Sequence, residues 1–379
     1  MAAFVEHMIN PTLIEARERP ELIGGGFFAW ARENLFYSWL SSLMTLILLA
    51  VMTKAGLSLF QWAFVNAIWQ VPSGPQGPIT DSCRALGSGA CWAIIGEKYR
   101  FILFGIYPFE QQWRPTVVIA LFVGLFVVSA MKRFWRIELA AVWVLTLLLI
   151  GLLMWGGIFG LTFVSQVNWG GLALTLIIAT IGVAIAFPLS VLVALGRRSD
   201  LPFIKWLCVA YVEVIRGVPL ITLLFMASVM FPLLMPEGVN LDKLLRAQIA
   251  IILFFAAYLA EVVRGGLQAL PKGQYEAAYV LGLSYWQTSR RIVLPQALRT
   301  VIPPLVNNFI GFFKDTSLVL VIGLYDLLHS AQVAVAEPAW QGFGLETYIF
   351  AGLIYFAFCF AMSRYSQWLE IGLNMHRHR

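Results

Sequence analysis

Long apolar stretches, separated by short polar connections, dominate the pattern of residues along the chain. A helix needs about 20 consecutive apolar residues to cross the hydrocarbon core of a bilayer. Backbone polar groups must be satisfied inside lipid, and the stretches lack the alternation of porin strands, so they predict helices. The pattern predicts spans at residues 36–60, 115–131, 138–163, 170–196, 209–235, 247–268, 300–323 and 346–369. The predicted fold class is an all-α polytopic membrane protein with about eight transmembrane helices.

Composition and charge agree with this fold and add an orientation. Of the 379 residues, 60% are apolar and 12% are charged, whereas soluble domains carry roughly a quarter charged residues. Lys and Arg concentrate in the segment before the first span, in the connections after the even-numbered spans and after the last span. Because basic segments stay in the cytoplasm, both termini are predicted to be cytoplasmic. The net charge of +6 then reflects topology, and we expect no nucleic-acid partner.

The predicted spans fall into two parts. Residues 1–165 form an N-terminal extension with three spans and one long outer connection, and residues 166–379 hold five spans. Residues 1–34 show no cleavable signal pattern, so we expect the first span to act as the insertion signal. All of the motifs that indicate a function lie in the second part.

Cysteine and histidine positions limit the chemistry. Cys83 and Cys91 lie in the long outer connection, where an oxidising compartment would allow a disulfide, although two free thiols are equally compatible with the sequence. Cysteine and histidine lack the spacing of metal ligands, so we expect no metal site. The histidines, which are too scattered for an acid–base site inside the bundle, are His7, His329, His376 and His378.

A short pattern of acid and base occurs twice in the second part. Glu213 and Arg216 recur as Glu261 and Arg264, each pair three residues apart, so each pair shares a helix face and can form a contact. Ionisable groups at membrane depth are costly, so the pairs require a reason. They either anchor helix ends at the interface or line a gate.

A polar, basic segment joins the sixth and seventh spans. Residues 274–281 favour a short helix, Gly282 offers a permissive backbone at its end, and Pro295 limits the next segment. A short helix along the membrane face can seat in a groove of a partner, with small side chains allowing close approach. The alternative is a solvated amphipathic connector. The residues of interest are Gly273, Glu276, Ala277, Ala278, Gly282 and Pro295.

This segment resembles the signature loop of permeases in bacterial ATP-binding-cassette importers. Glu-Ala-Ala at 276–278, Gly282, and Ile-x-Leu-Pro at 292–295 match every specified position. The resemblance implies that the last five spans form a type I importer core in the bacterial inner membrane. The loop would then receive the movement of a cytoplasmic ATPase dimer, which binds ATP and Mg²⁺, while this chain binds no cofactor. A periplasmic binding protein and a second, homologous permease are the other implied partners.

Further motifs point to the substrate class. Residues 169–175, 194–199, 211–220, 261–266 and 313–318 are similar to the polar amino-acid branch of these permeases. The whole chain resembles the AapM-type subunits of general L-amino-acid importers. That resemblance implies L-amino acids as substrates and a heterodimer of two permeases.

The seventh predicted span carries a polar seam. Residues seven apart lie nearly in line on a helix, so Asn308 and Asp315 form one row, and Asn307 and Lys314 form the next. A zwitterion would meet both signs of charge there, and Thr316 adds a hydroxyl. The alternative is that these groups pair with other spans and fix the bundle. Some members of the family that the chain resembles have an acid at the position of Asn308, so the resemblance implies that a neutral residue there disfavours strict selection of basic amino acids.

Two other classes of membrane protein compete with an importer subunit. A membrane enzyme would need a nucleophile and base, or metal ligands, converging inside the bundle. An ion channel would give no reason for the Glu-Ala-Ala loop. The phosphate-binding pattern Gly-x-x-x-x-Gly-Lys-Ser is absent from the sequence, so we expect no ATP hydrolysis by this chain alone.

Overall fold

A computed structural model of the chain describes residues 26–74, 77–236, 238 and 241–374, so the predicted cytoplasmic termini lie outside the described residues. The helices are α1 (Phe27–Asn34), α2 (Trp39–Phe60), α3 (Asp81–Arg84), α4 (Ala93–Phe104), α5 (Trp113–Ala130), α6 (Ile137–Trp155), α7 (Gly171–Gly196), α8 (Pro202–Gly217), α9 (Leu220–Phe225), α10 (Phe231–Leu233), α11 (Lys243–Gln268), α12 (Gly273–Val280), α13 (Tyr285–Thr288), α14 (Leu294–Asp315), α15 (Leu327–Ala336) and α16 (Gly344–Asn374). Short strands β1 (Ser73–Gly74) and β2 (Gly77–Pro78) pair antiparallel, and β3 spans Tyr325–Asp326.

The helices confirm an all-α membrane fold. Among the described residues, seven helical segments are long and apolar enough to cross a membrane, and a bent pair raises the number to eight. The straight segments are Trp39–Val65, Phe109–Ala130, Ile137–Trp155, Gly171–Gly196, Lys243–Gln268, Tyr285–Ile322 and Gly344–Gly372. Several of these continue an α-helix through a π or 3-10 turn, as Gln61–Val65 continues α2 and Thr316–Ile322 continues α14.

The predicted span over residues 209–235 is not one continuous helix in the structure. The helices α8 and α9 meet at a bend of 101°, and Val218 and Pro219 separate them. Pro219 has no N–H to give to a helix, and it pushes the residue before it towards extended backbone. Val218 accordingly has φ −109° and ψ 133°. Both halves are apolar, so a hydropathy pattern cannot distinguish them from a single span.

The third predicted span is shorter than residues 138–163. The helix α6 ends at Trp155, and Gly156 and Gly157 follow with φ of 67° and 82°. This left-handed backbone favours glycine and cannot continue a right-handed helix. Hydropathy remains high past that point because Ile158, Phe159 and Leu161 are apolar.

The chain forms two compact units. The first contains α1, α2 and residues 85–90, where Gly89 N–H donates to the carbonyl of Asn66 at 2.8 Å. The second contains residues 68–84 and the chain from Cys91 onwards. The proposed division of function near residue 165 stays a prediction.

Helices α7 and α11 form the centre of the second unit. They pack against each other, and α11 also packs against α8 and α14. Gly182 of α7 faces Ile251 and Phe255 of α11 at close range, and residues 171–180 of α7 are all buried. Small residues let membrane helices approach closely. The core therefore holds α7 and α11 as a common support for α8, α14 and the loop that contains α12.

Candidate coupling loop and polar cavity

The loop between α11 and α14 contains two short helices joined by a tight turn. The turn is closed by Gly282 N–H, which donates to the carbonyl of Tyr279 at 2.9 Å. Gly282 has φ 70°, a conformation that favours glycine at the end of a helix. Ser284 then caps α13, with Gln287 completing a capping box. The sequence signals for helix end and helix start thus match the boundary between α12 and α13.

The predicted coupling residues occupy different environments in this loop. Gly273, Glu276, Ala277 and Gly282 are exposed on it, and Pro295 is exposed at the start of α14. Ala278, in contrast, has no exposed surface. Its small side chain serves packing within this chain, so it cannot line a surface offered to a partner.

The loop also exposes large apolar side chains that sequence analysis did not single out. Tyr279 and Val280 are each 83% exposed. The other exposed members of this apolar surface are Leu281, Tyr285 and Trp286. Contiguous exposed apolar surface marks interaction sites in proteins. Together with Glu276, these residues form an exposed and largely apolar surface on the loop.

The two predicted acid–base pairs form one ionic cluster. The carboxylate of Glu261 lies 2.6 Å from Nη1 of Arg197, contacts Arg264 through two nitrogens, and lies 3.7 Å from Arg216. Glu213 pairs with Arg197 at 3.0 Å. The predicted pairing of Glu261 with Arg264 is present, but Arg216 and Glu213 each contact a different helix instead of each other.

Arg197 is the member of this cluster that sequence analysis did not place. It caps the end of α7 and joins α8 to α11 through Glu213 and Glu261. The local rule of residues three apart cannot find a contact between helices that are distant in sequence. The available signal was its position at a helix end that was predicted to face the same side of the membrane.

An open cavity of about 400 Å³ lies between α11 and α14, and aromatic and polar side chains line it together. Its lining residues are Phe254, Tyr258, Asn307, Asn308, Gly311, Phe312 and Asp315. The cavity therefore brings together two amides and one carboxylate beside aromatic side chains. Nδ2 of Asn308 donates to the carbonyl of Pro304 at 2.7 Å, which uses one of the two N–H groups of the amide.

The structure separates the predicted polar seam into two groups. Asn307, Asn308 and Asp315 line the cavity, whereas Lys314 is exposed outside its lining and Thr316 is buried. The hydroxyl of Thr316 donates to the carbonyl of Phe313 at 2.8 Å, where the helix tightens. Lys314 is about 100° from Asp315 around the helix axis, which explains why it points elsewhere.

Aromatic residues of α11 were missed by sequence analysis. Tyr258 stands three residues before Glu261, so both lie on the same face of α11. That spacing was the available signal for a second wall of the cavity.

The long connection of the extension ends in a covalent link. Cys83 and Cys91 are joined in a disulfide, and Cys91 N–H donates to the carboxylate of Glu346 at 3.0 Å. No group of three or more His, Cys, Asp or Glu side chains within the described ranges is arranged to hold a metal ion.

Comparison with known proteins places the chain among transport proteins. Residues 186–374 match the family described as "Binding-protein-dependent transport system inner membrane component". The chain is 51% identical over 354 residues to an Escherichia coli protein named "Inner membrane amino-acid ABC transporter permease protein YhdY", covering 92% of this chain and 93% of that protein. It is 38% identical to a Rhodobacter capsulatus protein named "Glutamate/glutamine/aspartate/asparagine transport system permease protein BztC", covering 91% of this chain and 93% of that protein.

A shorter relative matches about half of the chain. The Bacillus subtilis protein named "Probable glutamine ABC transporter permease protein GlnP" is 36% identical over 203 residues, which cover 54% of this chain and 92% of that protein. The two longer relatives match the extension as well as the core. The chain is a multi-pass inner-membrane transport component rather than an enzyme, and it belongs to the family of amino-acid ABC transporter permeases.

Proposed function

We propose that L-amino acids cross the membrane through the cavity between α11 and α14, and that the loop holding α12 couples this passage to ATP hydrolysis on a partner. Permeases of this family work with an ATPase and a substrate-binding protein. For this chain we infer an ATPase dimer that binds ATP and Mg²⁺, a periplasmic amino-acid-binding protein, and a second, homologous permease. The likeness to AapM-type subunits supports a heterodimer.

The cavity supports this proposal because its chemistry is complementary to a zwitterion. Asp315 can attract an α-ammonium group, while the side-chain amides of Asn307 and Asn308 can bind a carboxylate or a polar side chain. Polar groups inside a membrane span are costly unless they have a partner, so a seam that lines a cavity favours a functional role. The neutral Asn308 suits polar neutral and acidic amino acids better than basic ones.

The orientation of the chain follows from the same proposal. The end of the bundle that carries α12 would face the cytoplasm, with both termini on that side. In a variant lacking Cys208 and Cys359, a cysteine at Lys272 should react with an impermeant reagent only from the cytoplasm, and one at Gln341 only from the periplasm. Labelling of both from one side would contradict the topology.

Substitutions in the cavity separate substrate contact from structural bracing. If Asp315 meets the substrate, Asp315→Asn should lower uptake by about tenfold or more, as expected for loss of a charged hydrogen bond. Asn308→Asp should raise the relative uptake of arginine, because it adds an opposite charge. The measurement is competitive uptake of glutamate, leucine and arginine, normalised to assembled complex.

Lys314→Gln is the matched control, because Lys314 is adjacent to Asp315 yet lies outside the cavity lining. It should leave the ratios between amino acids unchanged. If Asp315 only braces the bundle, Asp315→Asn will lower the amount of assembled complex while uptake per complex and the ratios stay as in the wild type. That result would move the substrate path to other spans.

A further inference from the structure

Two adjacent arginines at the end of α7 hold two different parts of the protein. Nη1 of Arg198 donates to the carbonyl of Leu267 and to Oη of Tyr275, both at 2.7 Å. The guanidinium also lies 5.1 Å from the centre of the Tyr275 ring, a cation–π contact. Leu267 is in the last turn of α11, and Tyr275 is in α12. Arg198 therefore fastens the Glu-Ala-Ala helix to the bundle.

Arg197, the preceding residue, points into the ionic cluster. Its two terminal nitrogens contact different carboxylates, Nη1 with Glu261 and Nη2 with Glu213. Only 10% of the Arg197 side chain is exposed. A planar guanidinium can bridge two acceptors in this fixed fork, which a lysine ammonium cannot do. Arg197 thereby sets the position of α8 relative to α11.

The cluster continues to the cavity. Arg216 lies 3.7 Å from Glu261 and 5.4 Å from the ring centre of Tyr258, which lines the cavity. Arg216 also lies in the last turn of α8, just before the bend at Val218 and Pro219. A continuous series of contacts thus runs from α12 through two neighbouring backbone positions to one wall of the cavity and to the bend.

We propose that Arg197 and Arg198 are positioning residues that transmit movement of α12 to the cavity wall on α11 and to the bend between α8 and α9. Being adjacent at the end of one helix, they cannot move far independently. A shift of Tyr275 pulls on Arg198, and the shift of Arg197 then moves Glu213 and Glu261. This proposal rests on the proposed coupling function of the loop.

The charges of the cluster allow such a movement. Glu213 is 62% exposed and Arg216 is 36% exposed, so solvent screens these pairs and replaces their contacts at little cost. The cluster has three arginines for two carboxylates, so a guanidinium can change partners without leaving a carboxylate unpaired. The contacts of Arg198 to α12 are the ones that connect this exchangeable cluster to the loop.

The decisive measurement is the amount of amino acid taken up per ATP hydrolysed, in assembled complexes reconstituted with the ATPase and the binding protein. In Arg198→Gln, uptake should fall more than ATP hydrolysis does, so that the ratio decreases by about tenfold, within the range that contacts along a coupling network contribute. Tyr275→Phe keeps the ring and removes only Oη, so it should decrease the ratio by a smaller factor.

Arg299→Gln is the matched control, because it removes an exposed arginine from α14, the helix that follows the loop. The amount of amino acid that Arg299→Gln takes up per ATP hydrolysed should equal that of the wild type. Equal proportional losses of uptake and hydrolysis in Arg198→Gln and Tyr275→Phe would show a purely structural role and overturn the proposal. Normal uptake in both variants would overturn it as well. If Arg198→Gln does not assemble, Tyr275→Phe alone decides the outcome.

This experiment separates the proposal from the assignment of the cavity. The preference among glutamate, leucine and arginine should stay unchanged in Arg198→Gln, since Arg198 does not line the cavity. Failure of Asp315→Asn to affect transport would remove the cavity assignment but would leave a reduced ratio in Arg198→Gln as support for transmission to α8 and α11. In a double variant that combines Arg198→Gln with Arg197→Lys, the effects of the two substitutions on the uptake per ATP should be non-additive, because both arginines transmit the same movement.

Discussion

The two ends of the helix bundle in the second unit are held together by different chemistry. At the end that carries α12, here called the loop end, the contacts are ion pairs centred on Glu261 and Arg197. At the opposite end, where α7 begins, Gly171 forms a bridge to Asp326, and Leu327 N–H donates to the hydroxyl of Thr175 at 3.0 Å. These contacts of the opposite end are hydrogen bonds between buried residues.

Asp326 illustrates the difference. It has no exposed surface, yet its carboxylate caps α15 by accepting from the N–H groups of Leu328 and His329, and it accepts from the hydroxyl of Tyr355 at 3.2 Å. Separating buried polar groups leaves them unsatisfied, whereas solvent compensates partly exposed ion pairs. Separating the contacts of the opposite end therefore costs more than separating those of the loop end.

Arg84 and Lys98 add contacts at the opposite end. Arg84 donates to the carbonyls of Ala339 and Gln341, and Lys98 pairs with Glu337, on the segment between α15 and α16. The disulfide between Cys83 and Cys91 lies in the same region. The two residues that Arg84 contacts are 255 and 257 positions away from it in the sequence.

The largest effect is expected at the loop end, on transport. Gly282→Trp places a bulky residue where the backbone is left-handed and the surroundings are open. The strain costs about 1–2 kcal/mol, so the subunit should still fold. Docking of the loop should be blocked, and uptake should fall to background. Measurements are uptake and the amount of subunit in the membrane.

Glu276→Lys tests the same surface by charge and should also abolish uptake. The control for Gly282→Trp is Gly282→Asn, because asparagine tolerates the left-handed conformation and is much smaller. Normal ATP-driven uptake by well-expressed Gly282→Trp would remove the coupling assignment of the loop.

The next effect is on stability at the opposite end. Asp326→Ala removes a helix cap and leaves buried N–H groups and the Tyr355 hydroxyl without their acceptor. We expect a loss of about 2–4 kcal/mol in the free energy of unfolding, from the loss of the cap and of buried hydrogen bonds. Thermal unfolding of the purified complex measures it. Asp326→Asn, which retains an acceptor oxygen, should lose less, and equal losses would show that the cap is unimportant.

The pH dependence of stability should reveal the same carboxyl. Burial raises the pKa of Asp326 from 3.8 to about 6, against the opposing effect of the N–H groups of His329 and Leu328. A folded-state pKa above the unfolded value means that the folded state binds the proton more tightly. The contribution of Asp326 to the free energy of unfolding is therefore fully present below about pH 4. It is lost as the pH rises through 6, and the loss is about 3 kcal/mol.

The check is a series of unfolding measurements between pH 4 and 7 on the wild type and on Asp326→Asn. The variant should show a flatter loss of stability with rising pH, because its amide does not titrate. Parallel curves for the two proteins would show that Asp326 does not titrate in this range.

The sequence revealed some of these features and concealed others for physical reasons. The spans could be predicted because the thickness of the bilayer sets the length of each apolar stretch. The loop could be predicted from the fixed spacing of residues around Glu276. The bend at Pro219 could not be predicted from hydropathy, because the average includes the apolar residues on both sides of the bend. Arg197 and Tyr258 stayed hidden because their roles depend on contacts between helices, which only packing determines. The burial of Ala278 likewise depends on how the loop folds back on its own chain.

The smallest effect is expected for the most exposed pair of the loop end. Glu213→Gln removes the 3.0 Å contact with Arg197, but Glu213 is 62% exposed. An exposed ion pair contributes under about 1 kcal/mol, and salt screens it further. Its thermal unfolding should therefore nearly coincide with that of the wild type, most closely at high salt.

The comparison between the two ends is sharpest when Glu213→Gln and Glu261→Gln are measured beside Asp326→Asn. Glu261 is 26% exposed and contacts three arginines, so its loss leaves several guanidinium groups without their shared carboxylate and should cost more than the loss of Glu213. Uptake per ATP should fall in Glu261→Gln even where stability changes little, because the cluster joins the loop to the cavity. If Glu213→Gln destabilised the complex as much as Asp326→Ala does, the loop end would be as firmly fixed as the opposite end, and a rearranging ionic cluster could not explain coupling.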